Sequence, residues 1–66
     1  MDSKLREIRV SQGISLDRLS ANTGLAKSSL SMLERELAEP LLSTARRIAA
    51  ALDVDEADIW PESDHG

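Results

Sequence analysis

Cysteine, tyrosine and phenylalanine are absent from this 66-residue chain, and Trp60 is its single aromatic. Without thiols there is no disulfide framework, and His65, the lone histidine, cannot assemble a zinc site. The core must therefore be aliphatic, and no cofactor is expected. No apolar run approaches the ~20 residues that span a bilayer, and the N-terminus alternates charged and apolar residues instead of forming a signal-peptide core. A soluble, cytoplasmic protein with no membrane partner is the expectation. Sixty-six residues have room for one small domain. A core of this size supplies roughly 3–5 kcal/mol unless something else helps, which leaves self-association as the remaining aid.

Catalysis finds no constellation. The serines at 28, 29 and 31 have no histidine or cysteine near them in sequence, and the abundant carboxylates gather at the C-terminal end. The chain is read as something other than an enzyme.

Net charge is -4, yet its distribution is uneven. All eight basic residues precede Asp53, among six acids, and the last fourteen residues hold six acids without a Lys or Arg. A mildly basic body thus carries an acidic end, so one face of the body can still meet a polyanion.

Periodicity divides the chain into five short helices. Leu5 and Ile8 mark the first, with Asp2 or Ser3 as its cap and Gly13 as its stop. Ser15 caps a second that starts almost at once and ends at Gly24. A third starts near Ala26, with Leu30 and Leu33 inward and Lys27, Ser28, Ser31 and Met32 on or near the other side. Residues 36–42, broken by Pro40, read as a loop. A fourth helix covers about 43–52 with Ala45, Ile48, Ala49 and Leu52 at core spacing, and Asp55 caps a last turn through Ile59 before Pro61.

The most specific stretch is LDRLSANTGLAKSSLSMLER, residues 16–35. Two helices can cross steeply only where a small residue lies at the contact, a glycine makes the turn and apolar residues lock both to a core. Ser20, Gly24 and the leucines at 19, 25, 30 and 33 meet those demands in register.

On these residues, with LREIR and QGIS before them and Pro40 and RIAAALDV after, the chain resembles the Cro/phage-repressor (XRE) helix-turn-helix family from Leu5 to Ile59. The resemblance implies an all-α, compact five-helix, lambda-repressor-like domain over residues 1–60, with an acidic C-terminal tail at 61–66. It implies a sequence-specific transcriptional regulator, a homodimeric repressor reading a palindromic operator in double-stranded DNA. It assigns Lys27, Ser28 and Met32 to base edges, Ser29 and Ser31 to bases or phosphates, and Ser15 and Arg35 to the DNA backbone. Arg9 and Glu34 match the family's charged pair between the first and third helices, and Leu41, Leu42, Ile59 and Trp60 match its dimer contact. For Trp60 a second reading stays open, a cover over the end of the aliphatic core.

Four departures carry consequences. Leu16 stands where glutamine is common, and Ala26 where a polar cap is common. Glu36 replaces a glycine, which implies a strained or altered turn. Glu39 would repel phosphate in the loop. These departures, with the acidic balance, support a rival reading: a protein-interaction module, or an antitoxin-like partner-binding protein, with weak or no DNA binding.

Overall fold

The computed structural model describes residues 3–61, and these form five helices with no strand among them. They are α1 (Leu5–Ser11), α2 (Leu16–Thr23), α3 (Lys27–Glu34), α4 (Leu42–Leu52) and α5 (Glu56–Ile59). The fourth begins one residue earlier than its periodicity suggested. No described helix is long and apolar enough to cross a membrane. Asp2 as a cap, and the tail beyond Pro61, lie outside the described residues.

Local chemistry sets the helix ends. Ser3 Oγ accepts the Leu5 backbone N–H at 3.3 Å, and Ser15 Oγ accepts that of Arg18 at 3.0 Å. The Asp58 carboxylate accepts the Asp55 N–H at 3.0 Å, the returning half of a capping box. Ala26 leaves the start of α3 without a side-chain cap. At the other ends, the chain repeatedly turns through a left-handed residue. Gly13 follows α1, with the Ile14 N–H donating back to the Arg9 carbonyl at 3.0 Å. Asp53 follows α4, with Val54 donating to Ala49 at 3.0 Å.

Glu36 performs the same task after α3. Its φ is +61°, and the Leu37 N–H donates to the Met32 carbonyl at 2.9 Å. The geometry that glycine normally serves is kept, so the departure appears as backbone strain rather than as a different turn. Glu36→Gly is accordingly expected to stabilise the domain by about 1 kcal/mol, after allowing for the extra freedom glycine gives the unfolded chain. Urea denaturation measures this; an unchanged or lower midpoint shows that the strain at the turn is no larger than the freedom glycine adds to the unfolded chain.

The core is aliphatic apart from one residue. Leu5, Leu19, Leu30, Leu33, Ala45, Ile48, Ala49, Leu52, Ile59 and Trp60 form one buried cluster, with Ile8, Ile14, Leu16, Leu25, Ala51 and Val54 packed against it. Helix α2 packs on α3 and α4, α1 on α3, and α5 on α4. Two polar contacts tie the periphery to this core: the Lys4 N–H donates to the Ile59 carbonyl at 2.8 Å, and Gln12 Nε2 to the Leu52 carbonyl at 2.7 Å.

This packing corrects one expectation. Ile59 and Trp60 are 0% and 1% exposed within a single chain, so neither has surface to offer a second subunit. A one-turn α5 has too little length to bury an apolar stripe of its own. It packs on α4 and carries both residues into the common core.

Candidate nucleic-acid interface

The segment between α2 and α3 is knitted from short side chains. Ser20 Oγ donates to the Leu25 carbonyl at 2.5 Å. The Gly24 N–H donates to the Ser20 carbonyl at 2.8 Å, with φ +75° at Gly24. Thr23, buried, donates through Oγ1 to the Leu19 carbonyl at 2.7 Å and accepts the Leu25 N–H at 3.2 Å. The hydroxyls of Ser20 and Thr23 are thus both paired with backbone groups at the turn. Sequence reasoning passed over Thr23; its position just ahead of a helix-stopping glycine was the available signal.

A charged pair holds the far end of α3. Arg9 Nε and Nη2 face Glu34 Oε2 and Oε1 at 2.5 and 3.2 Å, while Nη1 donates to the Ile14 carbonyl at 2.8 Å. The side chains are only 12% and 5% exposed. One guanidinium thus joins α1, the α1–α2 turn and the last residue of α3 in a bidentate arrangement that fixes direction as well as distance.

Helix α3, pinned at both ends, turns Leu30 and Leu33 into the core. At 3.6 residues per turn, Ser28, Met32 and Arg35 fall on the opposite stripe, with Lys27 and Ser29 at its flanks. All five are exposed, and Ser31 is half-buried. The outer face of α3 is therefore open, covered by no other part of the described chain.

Two grooves border it. On one side Arg6, Arg9, Leu16, Ser31, Glu34 and Arg35 line a cleft. Glu34, the one carboxylate among the described residues that line it, is matched by Arg9, which leaves Arg6 and Arg35 to set a positive charge there. Leu16, half-buried, packs against the core at this cleft. Arg6 was not singled out from sequence, although its spacing of three from Arg9 places both on one side of α1. On the other side Ser29, Met32, Leu33, Pro40 and Leu41 border an apolar groove of about 200 Å³. Leu37, Leu41 and Leu42 stand exposed near it, Leu41 at 74%. Ser15 lies apart at the N-terminus of α2, beside Gly13, Arg18 and Asn22.

A short helix, a glycine turn and a second helix whose outer face projects from a helical core together define a helix-turn-helix DNA-binding domain. The chain belongs to the helix-turn-helix family HTH_3, which matches residues 5–59. It is 35% identical over 54 residues to the HTH-type transcriptional regulator SutR of Escherichia coli, covering 82% of this chain and 30% of that protein. The chain thus spans about a third of that relative's length. Its structure is similar to the restriction-modification controller protein C.AhdI of Aeromonas hydrophila, at TM-score 0.79 and 31% identity, covering 83% of each chain. It is also similar to the N-terminal DNA-binding domain of SinR from Bacillus subtilis, at TM-score 0.80 and 32% identity, over 94% of this chain and 91% of the other. SinR, the master regulator for biofilm formation, has been solved in complex with DNA, and that structure matches at TM-score 0.76 and 35% identity over 80% and 86% of the two chains. By name these relatives are a transcriptional regulator, a restriction-modification controller and a master regulator for biofilm formation.

Proposed function

We propose that this chain is a homodimeric repressor that reads a dyad-symmetric operator in duplex DNA through α3. The open outer face of α3, held at one end by the Gly24 turn and at the other by Arg9–Glu34, is the observation that carries this reading. In the major groove, Lys27 donates to guanine O6 or N7, Ser28 bonds base edges and Met32 meets a thymine methyl. Arg35 and Ser15 hold the phosphates, with Ser29 and Ser31 beside them, and Arg6 adds charge across the cleft from Arg35. Exposed Leu41 and Leu42, with Leu37, supply the apolar surface for a second copy. Occupying promoter DNA suffices for repression, and that target places the protein in the cytoplasm.

Selection of bound duplexes from a random pool tests the reading. The expected product is a symmetric site whose half-sites lie about one helical turn, ~34 Å, apart. A pool with no enriched sequence refutes it and favours the protein-interaction module. On the selected site, Lys27→Ala is expected to relax preference at one base pair, at a cost of about 1–3 kcal/mol. Arg35→Ala is expected to weaken every sequence alike and to reduce the slope of log K against log salt by about 0.9. Equal, sequence-independent losses from both changes overturn the division of roles.

A further inference from the structure

Lys27 is the only cation within α3, and it is not free. Its Nζ lies 2.9 Å from the Asp17 carboxylate in the first turn of α2. The two side chains are 57% and 79% exposed, so the pair adds little to the stability of the fold. Its place is what matters: it bridges the two helices at the end of α3 where the base-reading face begins. A carboxylate on a surface that approaches polyphosphate is unfavourable unless a cation compensates it, and Lys27 is that cation.

Two consequences follow from the chemistry of an ammonium group. Lysine has a flexible four-carbon stem and acts as a point charge, so by itself it settles on phosphate as readily as on a base. With one of its three donors held by Asp17 and its charge matched, its pull toward phosphate falls, while two donors remain for acceptors such as guanine O6 and N7.

We propose that Asp17 is a positioning residue that sets base specificity through Lys27, trading overall affinity for discrimination. This rests on the reading of α3 as the DNA-facing helix. It assigns Asp17, a residue of α2 with no base contact of its own, control over which base pair is preferred.

The test uses the full chain on the selected operator and on its variants at the base pair where Lys27→Ala relaxes preference. Asp17→Asn is expected to bind all sequences more tightly at low salt and to steepen the salt slope by about 0.9. Its discrimination at that base pair is expected to fall several-fold, toward the Lys27→Ala value. In the Lys27→Ala background, Asp17→Asn is expected to leave discrimination unchanged, and Asp17→Glu in the unaltered background to restore most of it. The thermal midpoint of Asp17→Asn serves as the folding control. If Lys27→Ala relaxes preference but Asp17→Asn alters affinity equally on every sequence, Asp17 is a plain surface charge and the inference is overturned alone. If Lys27→Ala relaxes no position, the assignment of Lys27 to a base falls as well, and the inference with it.

Discussion

Trp60→Ala is expected to lower the stability of the domain by about 3–5 kcal/mol, the range for removing a fully buried large aromatic. That is as much as a core of this size supplies in total, so the variant should be largely unfolded at 25 °C. The cause lies within one chain: Trp60 is 1% exposed, beside Ile59 at 0%, in the cluster that also holds Ile48 and Leu52. Trp60→Phe keeps part of the volume and should retain most of the helical signal. Far-UV circular dichroism across a urea series measures both. An alanine variant that keeps a full-height transition, with only its sedimentation shifted to monomer, would place Trp60 at a subunit interface and overturn the packing described here.

Glu34→Ala is the second large change. Its removal leaves the Arg9 guanidinium, on a side chain 12% exposed, with only the Ile14 carbonyl as a partner among the described residues. Breaking a buried pair from one side costs about 3–5 kcal/mol, because the remaining charge must be desolvated without compensation. Replacing both partners by apolar residues of similar volume, Arg9→Met with Glu34→Leu, should recover most of that loss. The unaltered chain, Arg9→Met, Glu34→Leu and the double variant form a double-mutant cycle, and urea midpoints read it. A double variant no more stable than Glu34→Ala would show that the pair, and not merely the avoidance of a lone charge, holds the fold. The recovered double variant is expected to bind DNA with reduced selectivity, since it keeps the packing but lacks the bidentate geometry that orients the end of α3.

The readability of each feature from sequence follows the range of the interaction behind it. Gly13 and Gly24 announced helix ends because a left-handed residue acts within one turn of chain. Ser15 announced a start for the same reason, its hydroxyl reaching only as far as Arg18. Glu36 was legible as a conflict but not in its outcome: whether a non-glycine residue bends the turn or endures it depends on how firmly α3 and α4 are held by the core. Trp60 was harder. A lone aromatic behind a one-turn helix fits a core or an interface equally well, and only the docking of α5 on α4 separates the two.

The partners of charged side chains lay furthest from view. Arg9 and Glu34 were matched only through a family resemblance, being 25 positions apart, and the grip of Asp17 on Lys27 was not anticipated. Sequence by itself determined five helices, the Ser15 and Asp55 caps, the Gly13 and Gly24 stops, an aliphatic interior and a basic body ahead of an acidic end, since these depend on groups a few residues apart or on composition alone. Tertiary structure alone decided that Trp60 is interior, that Glu36 is strained, and that α3 presents an open stripe with its lysine held from α2. Those outcomes depend on how helices distant in the chain cross one another, and a side chain's neighbours across such a crossing are not written in its own segment.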